Sequence, residues 1–456
     1  MNSDRTRTIL FLQGPPSTFW LELARGFERH GHKTVKINVC FGDMYFWRRR
    51  GAYHFRGSFK SWSAYVEKVI VDEGVTDIVY FADRQPYHVE AQTVARKYGI
   101  RCYAVEFGYL RPGWLTLERG GMGTYSHFPS DPELIHQLAE NLPEARRNTT
   151  RFQHVFAQEA YGEVAFHLFS EFLRPLYPFY KSDRYYHAFH DYLSWLVQLV
   201  REPWQKRRSA AVLAELEASR APYFLLALQL QSDYQIRANS PYRHIREMLD
   251  EVIGSFAANG RPEDHLVIKQ HPLDNGWENW VKVVGRIAAR HGVTDRIHAI
   301  ETGPLAQLIT GSRGTIVINS TVGLHALNAK CPTKVLGIAV FDIAGLTDQQ
   351  PLADFWQQPQ IPDARLLADF NRLLSHSVQV RGSFYNALGR RAAVAEIVKR
   401  VQLNLVNEPG AYVEILPRLE RARRLGVPVS KAAPPLAVTE EDDEFASLVN
   451  TPVDQT

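Results

Sequence analysis

Short apolar segments and amphipathic segments alternate along most of the chain. Thr8–Leu12 is apolar and predicts a strand, and the segment Thr18–His30 places Phe19, Leu23 and Phe27 on one face of a predicted helix. A strand followed by a helix in this way is typical of a parallel sheet covered by helices. The further elements predicted in this first series are the strands Thr34–Asn38, Asp77–Phe81 and Cys102–Glu106 and the helix Tyr87–Tyr98.

A second series of the same kind follows a helical stretch. Residues 133–220 are rich in helix formers and aromatic residues and show no strand pattern. The second series contains the predicted strands Tyr223–Gln229, His265–Gln270, His298–Ile300, Thr315–Ile318 and Thr333–Leu336. We therefore expect an α/β, GT-B-like protein in which two Rossmann-like domains face a central cleft. The predicted units are an N-terminal domain (1–132), a helical connector (133–220), a C-terminal domain (221–407) and an extension (408–456) whose proline- and acid-rich end predicts disorder.

Composition excludes several classes of protein. A chain of 456 residues is too long for one ordinary core, and its net charge of +4 is spread thinly, so no nucleic-acid partner is expected. Three cysteines lie far apart and no histidine stands at a metal-ligand spacing, so neither disulfides nor a metal site is expected. No segment approaches the ~20 apolar residues of a membrane span, and the N-terminal apolar run is too short for a signal peptide. We expect a cytoplasmic protein, with at most peripheral contact to the inner membrane.

The common nucleotide-binding motifs are missing. No GxGxxG follows the first strand and no GxxxxGK[ST] is present, so dinucleotide and P-loop sites lose their main support. Four other polar clusters each follow a predicted strand, where open α/β sheets bind ligands.

One cluster is Lys269-Gln270-His271-Pro272. The imidazole of His271 can donate a hydrogen bond to a phosphate oxygen, although a histidine in an ordinary turn would look the same.

A second cluster comprises Asn319, Ser320 and Thr321, with Gly323 in the helix that begins there. Backbone N–H groups, hydroxyl groups and the helix dipole favour an anion at such a place, although an ordinary helix cap has the same sequence. Together with His271 on the same sheet edge, the cluster predicts a phosphate held from two sides.

Two further clusters contain carboxylates. Asp233 lies in a polar loop that also holds Gln231, and it is a candidate nucleophile or electrostatic stabiliser, or else a surface turn residue. Glu106 ends a strand of the first domain and is a candidate general acid or base. Arg111 can bind a carboxylate of a ligand, or it forms a structural ion pair with Glu106. Further candidates for the cleft are Gln13, Gly14, Asp83, Arg84 and Tyr109.

In these clusters the chain resembles the KpsS-type capsule polysaccharide synthesis family, also described as capsule export proteins. The resemblance implies a retaining β-Kdo glycosyltransferase that takes Kdo from CMP-β-Kdo and builds a linker on a phosphatidylglycerol-type lipid or a Kdo-lipid. The segments that carry it are Phe11-Leu12-Gln13-Gly14-Pro15, Phe41-Gly42-Asp43, Tyr80-Phe81-Ala82-Asp83-Arg84, Glu106-Phe107-Gly108-Tyr109-Leu110-Arg111-Pro112, Gln229-Leu230-Gln231 with Asp233, Lys269-Gln270-His271-Pro272 and Asn319-Ser320-Thr321-Val322-Gly323.

The resemblance also implies roles for individual residues. By analogy with related retaining Kdo enzymes, Asp233 is the covalent nucleophile and Glu106 is the base for the acceptor hydroxyl. His271 with Ser320 and Thr321 would neutralise the single phosphate of a CMP-sugar without a metal or other cofactor. Arg111 or Lys269 would hold the Kdo carboxylate, and the C-terminal domain would bind CMP.

Membrane contact and two alternative functions stay open. The aromatic and basic segment Met44–Arg50 either contacts anionic lipid or covers the core as an amphipathic helix. A UDP-sugar-dependent transferase or epimerase would use the same cleft. A non-catalytic export adaptor, in contact with the capsule assembly machinery, would tolerate replacement of Asp233 and Glu106.

Overall fold

The computed structural model describes residues 6–144, 152, 156–182 and 188–429. Its first part alternates strands and helices as predicted. The elements up to the end of the first domain are β1 (Thr8–Phe11), α1 (Phe19–Arg29), β2 (Lys33–Asn38), α2 (Phe41–Trp47), β3 (Tyr53–His54), α3 (Trp62–Glu73), β4 (Asp77–Phe81), α4 (Pro86–Lys97), β5 (Arg101–Phe107) and β6 (Trp114–Arg119).

These strands form one sheet with a Rossmann-like centre. The neighbours β3, β2, β1, β4 and β5 run parallel in that order, and β6 joins β5 in the antiparallel direction. Buried apolar residues cover both faces of the sheet, as parallel strands between two helical layers require. The order reverses between β1 and β4, and ligands of such sheets bind at the carboxyl ends of the strands beside this reversal.

Three helices follow, in the region predicted to be a helical connector. They are α5 (Pro132–Ala139), α6 (Phe156–Phe172) and α7 (Ala188–Ser219). Pro203 lies inside α7. Among the described residues, no helix is both long enough and apolar enough to cross a membrane.

The second part of the chain builds a smaller parallel sheet, whose order β11, β10, β7, β8, β9 is again Rossmann-like, with its reversal between β7 and β10. Every strand predicted from the sequence is present, with its bounds shifted by two residues at most. The elements are β7 (Tyr223–Ala227), α8 (Tyr234–Asn239), α9 (Ile245–Asn259), β8 (His265–Lys269), α10 (Trp280–Arg290), β9 (Ile297–Ile300), α11 (Leu305–Gly311), β10 (Gly314–Val317), α12 (Val322–Asn328), β11 (Thr333–Val335), α13 (Leu352–Phe355), α14 (Ala364–Ser377), β12 (Gln379–Arg381), α15 (Ala387–Gln402) and α16 (Leu419–Arg424).

The chain then returns to the first domain, which the sequence does not reveal. Strand β12 pairs with β6, so it completes the seven-stranded N-terminal sheet. Helix α15 packs on α1, where Val394 and Val398 meet Gly26 so closely that a Cβ at that position would lie 2.8 Å from Val394. Residues from about 379 to 402, which the predicted bounds assign to the C-terminal unit, therefore belong structurally to the N-terminal one.

Residues 403–429 pack against the body of the protein. Arg418, at the start of α16, is almost fully buried, and its guanidinium donates to the carbonyl oxygens of Phe128 (2.6 Å) and Val340 (2.7 Å). Longer bonds of 3.3 Å reach the carbonyls of Pro129 and Ala339. One side chain thus ties the N-terminal domain to the 338–341 loop of the other domain. The proline- and acid-rich segment predicted to be disordered lies almost wholly outside the described residues.

The aromatic and basic segment Met44–Arg50 lies at the end of α2. Trp47 is buried in the N-terminal core, whereas Arg48 stacks on the ring of Tyr45 at 4.8 Å. Arg49 forms an ion pair of 2.7 Å with Glu28. The segment therefore covers the core, and its predicted contact with lipid stays a prediction.

Replacement of Arg418 tests whether its bonds to carbonyl groups of both domains hold the domains together. Arg418→Ala should lower the free energy of unfolding by about 3 kcal/mol, because it leaves several buried carbonyl groups without a donor. Arg424→Ala, on the exposed face of the same helix and paired with the exposed Glu420, should change it by less than about 1 kcal/mol. Urea unfolding measures both, and equal effects of the two variants would contradict this role of Arg418.

Candidate functional site

A cleft of about 610 Å³ lies where the carboxyl ends of the two sheets meet. Segments after β1, β4 and β5 form one wall, and segments after β7, β8, β10 and β11 form the other. Both reversals of strand order therefore open into one cavity, as the fold predicts for a ligand site. Of the residues predicted from the sequence, the cleft is lined by Gln13, Glu106, Tyr109, Arg111, Asp233, His271, Asn319, Ser320 and Thr321.

Glu106 lies at the end of β5 and is the carboxylate that the N-terminal domain contributes to the centre of the cleft. Burial raises its pKa to about 7, while a hydrogen bond from the Tyr234 hydroxyl and the charge of Arg111 act in the opposite direction. A carboxyl group with a pKa near neutrality changes its protonation state easily, which suits proton transfer. The sequence motif predicts the position of Glu106, but the partner Tyr234 comes from the other domain.

Asp233 stands opposite, at the start of α8. Its Oδ1 accepts a hydrogen bond of 2.9 Å from the backbone N–H of Gln235, so it is the N-cap of that helix. Its Oδ2 faces the side-chain amide of Gln229 at 3.5 Å. Burial raises the pKa of Asp233, and its charge in turn raises the pKa of Glu106. The two carboxylates are thus close enough to interact electrostatically across the cleft.

His271 lies in a tight turn directly after β8. The carbonyl of His271 accepts from the N–H of Asp274 at 3.0 Å, with Pro272 at the turn position that favours proline. The Nδ1 atom of His271 accepts a 3.1 Å hydrogen bond from the N–H of Leu273, so in the neutral ring the proton is on Nε2. Burial, with the charges of Lys269 and Arg111, lowers the pKa of His271 to about 4. The ring is therefore a neutral donor near neutral pH.

The loop after β10 is held in place by amide groups. Asn319 donates through its backbone N–H to Gln229 (3.1 Å), and its Oδ1 accepts from the same amide (2.8 Å). Ser320 Oγ accepts a 3.2 Å hydrogen bond from the N–H of Val322, so Ser320 provides a partner for a free backbone N–H at the start of α12. The side chain of Thr321 makes no such capping bond. Helix α12 has only seven residues, so its dipole is small.

Arg111 provides a positive charge at the middle of the cleft. Its guanidinium lies 4.8 Å from the ring centre of Phe107, and its Nε donates to the carbonyl of Gly108 at 3.2 Å. The same charge lowers the pKa of Glu106, of Asp233 and of His271. Arg111 therefore faces groups of both domains and does not form a closed ion pair with Glu106.

Three candidates from the N-terminal domain lie behind the cleft wall. Gly14 packs against the indole of Trp20, which leaves no room for a Cβ atom. Asp83 is fully buried and accepts from Arg84 (3.1 Å) and from the N–H of Met122 (2.9 Å). Arg84 also stacks on Tyr125 at 4.0 Å. Asp83 and Arg84 thus hold the 122–125 loop, and none of the three candidates is among the residues that line the cleft.

Four candidates from the C-terminal domain have similar supporting positions. Gln231 is buried and bonds to the backbone of Arg243 and Ile245. Lys269 is buried, its Nζ donates to the carbonyl of Gln270, and burial lowers its pKa. Pro272 shapes the turn at His271, and Gly323 packs against the ring of Phe341. These four residues belong to the same motifs as lining residues, and a motif does not reveal which of its members face the cleft.

Some residues that line the cleft were not predicted from the sequence. Tyr234 is one of them, and another group comes from the helical middle region, where Glu159, Glu163 and His167 line one end of the cleft from α6. Their spacing of four residues on a helix was the available signal, since it places them on one face. Among the described residues, no three His, Cys, Asp or Glu side chains are grouped so that they could bind a metal ion.

Another carboxylate, the fully buried Glu118, makes the stability of the fold depend on pH. Its oxygens accept from the hydroxyl groups of Tyr109 (2.9 Å) and Ser126, and burial raises its pKa from 4.5 to about 7. The folded protein therefore binds this proton more tightly than the unfolded chain, so stability falls as the pH rises from about 4.5 to about 7.

Glu118→Gln should remove this contribution. Relative to wild type, the variant should gain about 3 kcal/mol in unfolding free energy between about pH 5 and about pH 8, because its side chain cannot ionise. Urea unfolding at both pH values measures the gain, with the exposed Glu140→Gln as the control. The same gain in both variants, or none in Glu118→Gln, would contradict this account.

Comparison with known proteins shows the family of this chain. Residues 76–385 match the family model described as capsule polysaccharide biosynthesis protein. The capsule polysaccharide export protein KpsS of Escherichia coli is 31% identical over 387 residues, which cover 83% of this chain and 97% of the relative. The capsule polysaccharide modification protein LipB of Neisseria meningitidis serogroup A is 29% identical over 390 residues, covering 84% and 93%.

Among solved structures, the β-Kdo 2,7 transferase KpsC of Thermosulfurimonas dismutans is similar at 17% sequence identity with a TM-score of 0.42, covering 87% of this chain and 99% of that one. The family match spans most of the chain, including β5, β10 and the cleft residues on them, and the resemblance predicted from the motifs is thereby confirmed. The chain belongs to the capsule polysaccharide biosynthesis family.

Proposed function

We propose that this protein is a retaining glycosyltransferase that transfers Kdo from CMP-β-Kdo to a phosphatidylglycerol-type lipid or a Kdo-lipid during synthesis of the capsule linker. The observation that carries the proposal is the pair of partly buried carboxylates, Glu106 and Asp233, which the two domains contribute to one cleft that a neutral histidine donor also lines. Family membership supports a role in capsule synthesis.

The donor would occupy the C-terminal wall. A CMP-sugar carries one phosphate, and Nε2 of His271 offers it a hydrogen bond that does not depend on protonation of the ring. Ser320 and Thr321 line the same wall and offer hydroxyl groups. Kdo bears a carboxylate beside its anomeric carbon, and Arg111, one of the cations in the cleft lining, can bind it in bidentate fashion. Lys269, the other cation suggested by the sequence, is directed away from this wall.

Retention requires two displacements at the anomeric carbon or attack from the front face. In the first displacement, an oxygen of Asp233 forms a bond to that carbon while the bond to the CMP phosphate breaks, and CMP leaves with both electrons of that bond. The phosphate oxygen gains charge at this moment, which the His271 donor stabilises. A glycosyl ester on Asp233 results, and CMP departs.

In the second displacement, Glu106 accepts the proton of an acceptor hydroxyl group while the hydroxyl oxygen attacks the same carbon and displaces Asp233. The raised pKa of Glu106 makes it a stronger base than an ordinary carboxylate, so the proton transfer is favoured near neutral pH. Two inversions give net retention, and the proton ends on Glu106 until solvent removes it.

The acceptor would enter from the end of the cleft that α6 borders. Polar groups that line the cleft there are Glu159, Glu163, His167 and Lys181, together with Gln13 from the N-terminal domain. Carboxylates and amides of this kind bind the hydroxyl groups of a sugar or a glycerol headgroup. This end therefore suits the polar head of the acceptor, with any acyl chain left outside the cleft.

Replacement of Asp233 tests the proposal with the fold preserved. Asp233→Asn should lower turnover of CMP-β-Kdo with a fluorescent phosphatidylglycerol-type acceptor roughly a thousandfold, because an amide is a poor nucleophile. The free energy of unfolding should hardly change, since asparagine and aspartate are about equally good N-caps. Asp131→Asn changes the N-cap of α5, outside the cleft lining, in the same way and is the matched control.

The outcomes separate the alternatives. Near-normal turnover by Asp233→Asn would remove Asp233 from the nucleophile's role. A wild-type protein that is stabilised by UDP and not by CMP would indicate a UDP-sugar enzyme. A wild-type protein that forms no product and binds neither nucleotide would indicate an export adaptor.

A further inference from the structure

Helix α8 carries a chain of hydrogen bonds that starts and ends on the N-terminal domain. Thr124 donates through its backbone N–H (2.8 Å) and its hydroxyl (2.7 Å) to Oδ1 of Asn239. Asn239 Nδ2 donates to Oε1 of Gln235 at 2.6 Å, and Gln235 Nε2 donates to the Tyr234 hydroxyl at 2.7 Å. The Tyr234 hydroxyl then donates to Glu106. The side chains of one short helix thus link two points of the other domain.

The direction of this chain is fixed by one backbone group. The N–H of Thr124 can only donate, so the atom of Asn239 that faces it must be the oxygen. The amide nitrogen of Asn239 then faces Gln235, which must present its oxygen there and its nitrogen to Tyr234. The hydroxyl oxygen of Tyr234 accepts that bond, so its only proton points to Glu106.

The backbone of α8 is also attached to the loop that lines the donor wall. Asn319 Nδ2 donates to the carbonyl oxygens of Gln235 (3.0 Å) and Asn239 (3.3 Å). The carbonyl of Asn239 also accepts from the N–H of Ile338 at 2.8 Å. Because Asn239 is fully buried, these contacts leave it a single orientation.

We propose that the chain Thr124–Asn239–Gln235–Tyr234 positions Glu106 and delivers one hydrogen-bond donor to its carboxylate when the two domains stand in the closed arrangement seen here. Tyr234 is thus a positioning residue for the base. The inference rests on the proposed function for its kinetic consequence, whereas the chain itself is a property of the fold. Separation of the domains would break its first and last links together, so the base is complete only in the closed cleft.

Other charged groups also act on Glu106. The Arg111 charge favours the ionised carboxylate, whereas Asp233 and Asp83 favour the protonated one. Tyr234 is the hydrogen-bond donor among these groups, and it favours the ionised form that a base needs. Removal of the Tyr234 hydroxyl should therefore raise the pKa of Glu106.

Two substitutions test the chain at its two ends. Tyr234→Phe removes the final donor. Asn239→Asp keeps the shape and the acceptor for Thr124 but replaces the Nδ2 donor with a second oxygen, so Gln235 must turn its amide nitrogen toward the new carboxylate. The oxygen of Gln235 would then face Tyr234 and compete with Glu106 for its proton. Tyr80→Phe is the control, because Tyr80 is buried outside the cleft lining and its hydroxyl has no partner among the described residues.

The kinetic arm measures the pH dependence of kcat/KM. A base works when ionised, so activity falls on the acidic side of its pKa, and loss of the donor should move that limb to higher pH. We expect a shift of about 1 to 2 pH units in Tyr234→Phe, a shift in the same direction in Asn239→Asp, and none in Tyr80→Phe. An unchanged acidic limb of the kcat/KM profile in Tyr234→Phe would overturn the inference. An unchanged acidic limb in Asn239→Asp would overturn the role of Asn239 and Gln235 and leave only the contact between Tyr234 and Glu106.

A second arm needs no reaction. The Tyr234 donor stabilises only the ionised form of Glu106, so the loss of Tm in Tyr234→Phe should be larger at about pH 8.5 than at about pH 6, with no such difference in Tyr80→Phe. If the wild type transfers no sugar but the Tm measurements give the expected pattern, the proposed function is wrong and the hydrogen-bond chain to Glu106 is supported. A loss of Tm that is equal at both pH values would overturn the chain whatever the activity.

Discussion

The contact on which the site depends most is the buried bond between Asn239 of one domain and the backbone of Thr124 of the other. A polar group buried at this depth is costly unless every partner is present, so the contact accepts only one relative position of the two sheets. That position brings Asp233, next to the start of α8, opposite Glu106, at the end of β5. Arg418 supports the same arrangement through hydrogen bonds to carbonyl groups of both domains. Apolar packing adds to these polar contacts, since Phe128 and Leu110 of the N-terminal domain share one hydrophobic cluster with Val340 and Phe341 of the other domain.

Much of this architecture was predictable, because local patterns determine it. The apolar strands and amphipathic helices of both series are short-range features, and the structure confirms the strands that they predict. Strand β6 was not predicted, although Leu115, Thr116, Leu117 and Glu118 alternate between apolar and polar residues; the burial of Glu118 on its polar face could not be read from that pattern. The return of β12 and α15 to the first domain could not be predicted, because the pairing of residues Gln379 and Thr116 is a long-range contact with no local signal.

The candidate site shows the same division. Motifs at strand ends predicted Glu106, Asp233 and His271, because the carboxyl edge of a parallel sheet is where ligands bind. Motifs did not separate lining residues from their neighbours: His271 faces the cleft whereas Lys269, two positions earlier, does not. Tyr234 could not be predicted as the partner of Glu106, since the two residues are 128 positions apart and meet only after the domains close. Pairings between domains are thus the part of the chemistry that the sequence leaves out.

The central claim is that Asp233 forms a bond to the sugar and Glu106 completes the transfer. The most direct measurement is mass spectrometry of the Glu106→Gln variant after incubation with CMP-β-Kdo and acceptor. The variant keeps an acceptor for the Tyr234 hydroxyl but has no base for the second displacement, so the first intermediate should accumulate. The account predicts a mass increase of one Kdo unit, located by peptide mapping on Asp233. The account would be contradicted by an unmodified protein that nevertheless releases CMP and forms the Kdo product. It would also be contradicted by a sugar attached to a different residue.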